Sequence, residues 1–186
     1  MAVVEYAPSD EFTWADILNE PDDGLRREII GGSLIVNPAP FIRHQAVGFR
    51  LATILDGAKA AGTRVLVAPI DWRYDAKGVV GPDVVVVAGD VDVDGPIPAT
   101  VVPDLVVEVF SSNAVFDRTI KRDLYQQLGV PRYWMIDPGG PHRQPSIVAL
   151  SLGVDGVYDV SAEATGMEVL ATDHPFPVAF APADLL

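Results

Sequence analysis

Two short hydrophobic runs with acids inside them decide how this chain is read: Pro82-Asp83-Val84-Val85-Val86-Val87 and Pro103-Asp104-Leu105-Val106-Val107-Glu108-Val109-Phe110. Valine-rich runs of this kind are buried strands as a rule, and Asp and Glu are poor strand residues. A carboxylate embedded in one needs a partner. A polar, helix-patterned segment with Lys121 and Tyr125 follows, and a third run, Arg132-Tyr133-Trp134-Met135-Ile136-Asp137, closes the unit. No basic residue lies between Asp83 and Val115. The acids must therefore find a cation elsewhere in the fold, bind a metal, or stay in water.

Outward from this unit, the patterning predicts the remaining elements. Thr13–Leu18 reads as a short helix with Thr13 as N-cap and Asp16 three residues on. Leu25–Ile30 and Ser33–Asn37 are strands joined by Gly31-Gly32, a hairpin signal. Phe41 to Ala61 is helical, with Val47, Leu51, Ile54, Leu55 and Ala58 on one stripe and Gly62 as the stop. Arg64–Ala68 and Ile70–Tyr74 are strand-like, with a bend at Pro69. Asp83–Val87 and Asp104–Phe110 are strands separated by an acidic loop. Ser111-Ser112-Asn113 offers caps for a helix ending near Leu128-Gly129, and Arg132–Ile136 is the next strand. The tail carries weaker strand signals at Ile147–Leu150, Val157–Val160 and Glu168–Leu170.

The core order is helix, strand, strand, strand, helix, strand. It predicts an α/β fold with a mixed sheet and helices packed on it, an N-terminal hairpin and C-terminal strands. The final strand–helix–strand step is long enough for a parallel crossover. The 186 residues fit one domain, residues 1–186, and 49% hydrophobic residues suffice for a sizeable core. No apolar run approaches the ~20 residues that span a bilayer, and Met1–Tyr6 lacks the basic-then-apolar order of a signal peptide. The expectation is a cytoplasmic protein with no membrane partner. With no cysteine, disulfides and thiolate metal sites are excluded. The net charge of −13 argues against broad nonspecific nucleic-acid binding and leaves room for a local basic groove.

Strand geometry addresses the embedded acids. Asp83 starts one strand and Glu108 is near the end of the next. Antiparallel pairing would bring them together at one sheet edge. Side chains alternate faces along a strand, so Glu108 shares a face with Val106 and Asp104. The following helix starts at the same end and carries Asp117, Lys121 and Arg122. Lys121, four residues after Asp117 and its neighbour on a helix face, can reach the carboxylates. Two acids and a lysine at a sheet end can hold a divalent cation and orient a water for phosphodiester attack. Asp104 and Asp137 read as turn or cap residues, and Asp117 and Arg122 as a solvated helix face.

Several segments, in order and spacing, resemble a known family. They are Arg27-Glu28-Ile29-Ile30-Gly31-Gly32-Ser33-Leu34, Pro38-Ala39-Pro40 with Arg43-His44, Gly81-Pro82-Asp83, Pro103–Ser111, Asp117–Lys121 with Leu124-Tyr125, and Gly129–Asp137. Together they resemble the Uma family of restriction-endonuclease-like proteins, of the PD-(D/E)XK nuclease superfamily, from about Trp14 to Leu186. The resemblance implies a restriction-endonuclease-like fold with the same core order. It implies a Mg²⁺- or Mn²⁺-dependent endonuclease acting on nucleic acid, DNA ahead of RNA, with a homodimer as one arrangement. Asp83 matches the first metal-binding acid and Glu108 the second. Glu28 matches a family acid that joins the metal site, and the Val109 carbonyl is a further donor. The superfamily lysine sits two residues after the second acid, where this chain has Phe110; Lys121 on the next helix matches its displaced counterpart. His44 matches a family histidine that contacts phosphate or tunes the site; an equal reading is a helix histidine satisfied by a neighbouring backbone group or acid. Tyr125 and Trp134 also match and read first as core packing. The alternative is a catalytically silent module of the same fold that binds a protein or nucleic-acid partner.

Other signals point nowhere. Asp90-x-Asp92-x-Asp94-Gly95 opens like a calcium loop, but its twelfth position is Val101 and its flanks are strands. His142 and His174 lack metal-ligand spacing. A P-loop, a nucleophile elbow and a zinc-protease motif are absent from the sequence.

Overall fold

A computed structural model describes residues 3–5, 12–19, 23–37, 39–92, 94–110 and 117–186. Its N-terminal layer comprises β1 (Val3–Glu5), α1 (Trp14–Asn19), β2 (Arg26–Ile30) and β3 (Ser33–Asn37). Asp16 accepts hydrogen bonds from the amide and hydroxyl of Thr13, both at 2.7 Å, which fixes the start of α1. Gly31 and Gly32 take φ of 58° and 76°, the left-handed pair that a two-residue hairpin turn requires. β2 and β3 pair around it from Ile30–Ser33 out to Arg26–Asn37, with β1 on the far side of β3.

Helix α2 (Ile42–Ala58) buries His44, Val47, Leu51, Ala52 and Leu55 along one stripe. It ends at Ala58, three residues before the expected end at Ala61, and Lys59 becomes extended (φ −57°, ψ 145°). The strands β4 (Thr63–Val67), β5 (Val84–Ala88), β6 (Leu105–Val109), β7 (Arg132–Asp137), β8 (Ser146–Leu152) and β9 (Tyr158–Thr165) form a six-stranded sheet in that spatial order. β6 and β7 are parallel and every other neighbouring pair is antiparallel. Val84 to Val87 and all of β6 are fully buried, because these central strands are covered on both faces. β10 (Leu170–Thr172) and β11 (Val178–Phe180) make a small hairpin, and Phe176 and Phe180 join α2 on one side of the sheet.

Between β6 and β7 the chain makes a π-helical turn, Asp117–Lys121, that runs into α3 (Arg122–Gln127). α3 stops where Gly129 takes φ 72°. There the amides of Gly129 and Val130 donate to the carbonyls of Gln126 and Tyr125, and the side chains of Val130 and Tyr125 pack in the same cluster.

The sequence reading needs four corrections. Ile70–Tyr74 is not a strand: Pro69 offers no N–H to a ladder, and the segment pairs only locally, Trp72 with Val80 and Ile97. Glu168 lies in a turn, its carboxylate accepting the Thr165 amide at 2.9 Å, so the strand there starts at Leu170. β1 and β11, three residues each, are too short to leave a periodic signal. The caps expected at Ser111–Asn113 lie outside the described residues. No helix among the described residues is long and apolar enough to cross a membrane.

Candidate active site

The fold brings three acids from three elements to one end of the sheet. Val84 pairs with Val107 in the antiparallel register, so Asp83, just before β5, stands opposite Glu108 of β6. The amide of Val109 donates to Asp83 Oδ2 at 2.8 Å. Glu28 arrives from β2; its Oε1 accepts the Gly81 amide at 2.8 Å, which ties the hairpin to the segment entering β5. Asn37 Nδ2 donates to the other Glu28 oxygen at 3.1 Å. Glu28, Asp83 and Glu108 are only 2%, 5% and 3% exposed. β5 and β6 are interior strands, so the acids meet at strand ends and not at a sheet edge.

The cations come from the fold. Lys121 Nζ lies 2.9 Å from Glu28 Oε1 and 2.9 Å from Glu108 Oε1. Tyr125, one turn later, donates its hydroxyl to the same Glu108 oxygen at 2.7 Å. On the other flank Arg26 Nη1 stands 3.1 Å from Asp83 Oδ1, and Arg26 Nη2 donates to the Gly81 carbonyl. His44 Nε2 lies 3.0 Å from Asp83 Oδ2. A carboxylate only accepts, so this contact puts the imidazole proton on Nε2. His44, in the first turn of α2, thus holds Asp83 from one side and Arg26 of the β2–β3 hairpin holds it from the other.

All five residues singled out from the sequence, Glu28, His44, Asp83, Glu108 and Lys121, converge here. Arg26 and Asn37 were missed. Arg26 lies two residues before Glu28 on β2, hence on the same strand face, and Asn37 is its register partner; that spacing was the available signal. The segment carrying Lys121 is π-helical, so the α-helical four-residue spacing to Asp117 does not apply, and the Asp117 side chain lies outside the described residues. Tyr125 does more than pack: its ring stacks on Trp72 while its hydroxyl holds Glu108. Trp134 is core on the opposite face, against Phe180. Phe110 is 7% exposed, and the Arg118 guanidinium covers its ring at 4.6 Å from the centroid.

Burial alone would raise the Asp83 carboxyl. The His44 hydrogen bond and the charges of His44, Arg26 and Lys121 outweigh it and hold the group at about 2. The Tyr125 phenol is pushed well up by burial and by the nearby Glu108 and Glu28. Burial opposes the charge on Arg26, and the surrounding Asp83, Glu28 and Glu108 more than restore it.

Buried carboxylate oxygens are the donors that suit a hard divalent cation, and in kind the set fits Mg²⁺ or Mn²⁺. In arrangement the acids are split into two groups by the protein's own cations: Glu28–Lys121–Glu108 and Arg26–Asp83–His44. Among the described residues no three His, Asp or Glu side chains already stand as a metal cage. Loading would require the side-chain cations to give way.

A family model described as "Uma2: Putative restriction endonuclease" matches residues 14–181. Among solved structures, the crystal structure of a protein described as a "putative nuclease belonging to DUF820", from Anabaena variabilis, is similar in fold. Its TM-score is 0.66 at 16% sequence identity, over 94% of this chain and 97% of that one. No curated protein matches.

Proposed function

The chain belongs to the Uma2 family, whose description is restriction endonuclease, and from that premise we propose a metal-dependent nuclease that hydrolyses phosphodiester bonds of nucleic acid, DNA ahead of RNA, at the acid cluster. One observation carries the reading. Lys121 stands 2.9 Å from both Glu28 and Glu108, with Asp83 across the strand pair, although no cation is local in sequence to the two strand acids.

Asp83 and Glu108, with Glu28 and the Val109 carbonyl, would hold Mg²⁺ or Mn²⁺. When bound, the ion supplies a Lewis acid that polarises the scissile phosphate and acidifies the attacking water. The chain's own groups do the rest. Against its burial, His44, Arg26 and Lys121 hold the Asp83 carboxyl below its ordinary range, so the group is an anion ready to meet a cation. Lys121, the ammonium beside Glu28 and Glu108, would orient the water and stabilise charge developing on the phosphate oxygens. Water oxygen bonds to phosphorus, the P–O ester bond breaks, and the water proton ends on the leaving oxygen. Tyr125 and His44 keep Glu108 and Asp83 aimed.

The test is cleavage of labelled single- and double-stranded DNA and RNA by the purified protein with Mg²⁺ or Mn²⁺. The near-isosteric Asp83→Asn and Glu108→Gln should each lower the rate by about 100-fold or more while the far-UV spectrum stays unchanged. No cleavage of any substrate, or cleavage indifferent to both substitutions, sinks the proposal. A second reading, a nuclease fold that binds without cutting, draws on the cations that occupy the cluster. Calorimetric titration with Mn²⁺ separates the two: heat that vanishes in Glu108→Gln supports the enzyme, and its absence in the native chain supports the silent module.

A further inference from the structure

A second group of charges stands at the same end of the sheet. β7 runs parallel to β6 and ends beside it, with the Phe110 amide donating to the Ile136 carbonyl at 2.7 Å. The last residue of β7 is Asp137, only 6% exposed. Its Oδ1 accepts the Gly139 amide at 2.9 Å, as a turn-forming aspartate does, and lies 2.8 Å from Arg143 Nη2. Its Oδ2 is 3.8 Å from Arg118 Nη2. Arg43, in the first turn of α2, donates from Nη1 to the Pro138 carbonyl at 3.4 Å. Two arginines, from the π-helical turn and the β7–β8 turn, therefore hold one buried carboxylate, and a third, from α2, holds the carbonyl of the next residue.

The arrangement leaves donors facing outward. A guanidinium carries five N–H donors in a rigid fork, and each contact above uses one edge of it. Arg118 and Arg143 keep 54% and 67% of their side-chain surface in solvent. Arg118 is braced from beneath by the Phe110 ring. Two guanidinium groups share the Asp137 carboxylate and a third sits on the neighbouring Pro138 carbonyl, a local excess of positive charge in a chain whose net charge is −13. The group adjoins the acid cluster: Arg43 precedes His44, which holds Asp83, and Phe110 is two residues past Glu108. Phe41 and Ile42, immediately before Arg43, are 76% and 89% exposed and offer an apolar platform of the kind on which bases stack.

We propose that Arg118 and Arg143, held on Asp137, and Arg43, held on the adjoining Pro138 carbonyl, form a phosphate subsite for the sugar-phosphate backbone of a nucleic-acid strand, taking a phosphodiester that flanks the one at the acid cluster. The proposal rests on the nuclease reading for the identity of the strand. Forked guanidinium groups fit phosphate oxygens two at a time, and a point on Asp137 fixes where the forks aim. The acidic remainder of the surface repels a polyanion, so a strand is steered to this end of the sheet.

Fluorescence anisotropy of short labelled single-stranded and duplex DNA with the full chain tests this. The measurement is made in EDTA over about 50 to 200 mM salt, the range in which phosphate contacts show. Arg118→Ala with Arg143→Ala should weaken binding tenfold or more and reduce the slope of log affinity against log salt by about 2, one per phosphate contact. Arg43→Ala, which leaves both partners of Asp137 in place, should reduce it by about 1. Lys59→Ala with Arg64→Ala removes the same charge near the opposite end of the sheet and should change neither. The proposal is overturned if the native chain does not bind DNA, if the arginine variants keep the native slope, or if both double variants weaken binding equally. It is also overturned if poly-glutamate displaces the DNA at matched charge, which would make the group a site for acidic polypeptide. Because the readout is binding without metal, a chain that binds through these arginines and never cuts keeps the subsite and loses the nuclease reading.

Discussion

The two faces of the six-stranded sheet are built from the same strands to different rules. One face sets Val84, Val86, Leu105, Val107, Val109, Trp134 and Ile136 against Val47, Leu51 and Leu55 of α2, with almost nothing but hydrocarbon between them. The other sets Val85, Val87, Val106 and Tyr133 against Trp72, Tyr125 and Tyr158. Strand parity places Asp83 with Val85 and Val87, and Glu108 with Val106. Both acids therefore fall on the face whose neighbours carry hydroxyls: Tyr125 reaches Glu108, and Tyr158 reaches the Val130 carbonyl. A valine-rich sheet can carry buried charge where alternation directs it to the polar face, and a register slip of one residue would drive both acids into hydrocarbon.

The largest test sets Lys121 against Leu55. Lys121→Ala leaves Glu28 and Glu108 buried without the ammonium that stands between them, which should cost about 3–5 kcal/mol in urea unfolding. Leu55→Ala opens a cavity on the other face at a cost of about 2–5 kcal/mol. The costs overlap, but their cures do not. Adding Glu28→Gln and Glu108→Gln to Lys121→Ala should recover much of the loss, because the stranded charges are gone. No further truncation around Leu55 can refill a cavity. A Lys121→Ala loss below about 1 kcal/mol, the scale of a solvated pair, would erase the distinction between the faces.

Acid titration sharpens the same contrast. Asp83 has a folded value near 2 against an ordinary 3.8, so its ionised form is favoured by folding. A depressed carboxyl contributes stability above its unfolded value and loses it as pH falls through its folded value. The contribution is about 2 kcal/mol, present above about pH 4 and fading towards pH 2. The stability difference between the native chain and Asp83→Asn should shrink across that window, while the difference between the native chain and Leu55→Ala stays flat. His44→Ala removes the strongest interaction holding the group down, so the native advantage over Asp83→Asn should be smaller in that background. An unchanged profile would remove His44 from the site.

These contrasts also show why some of the molecule was legible in the sequence. Once antiparallel pairing of the two valine runs is assumed, their ends place Asp83 beside Glu108, and the structure has that pairing. The displaced lysine came from the resemblance around Lys121, and the structure puts that side chain between two acids. What failed to show was whatever depends on a partner distant in sequence. Arg26 meets Asp83 across 57 residues, and Arg43 meets Pro138 across 95. Arg26 shares a strand face with Glu28 and Arg43 precedes His44, but neither position says which distant group the side chain meets. Asp137 reads as a turn former and is one, through Gly139; that it also gathers arginines from other elements follows only from β7 ending beside β6. Ile70–Tyr74 was misread for a related reason. Its apolar content reflects Trp72 packing into the tyrosine cluster, and burial without a ladder leaves the same composition as a strand.

The smallest expected effect stays within the polar face and compares two tyrosines. Tyr125→Phe and Tyr158→Phe delete the same atom from two buried rings. Tyr125 donates to a carboxylate at 2.7 Å and Tyr158 to a neutral carbonyl at 2.8 Å. Hydrogen bonds to charged groups contribute roughly 1.5–3 kcal/mol and those between neutral groups about 0.5–1.5. Tyr125→Phe should therefore cost more by about 1 kcal/mol, with the ring still held by Trp72 at 6.1 Å and Tyr133 at 5.1 Å. Repeating both deletions in a Glu108→Gln background separates charge from packing. There the Tyr125 hydroxyl meets a neutral amide, and the two deletions should cost the same. If they already cost the same in the native chain, the Glu108 carboxylate adds nothing to the Tyr125 hydrogen bond, and the contrast between the two tyrosines is lost.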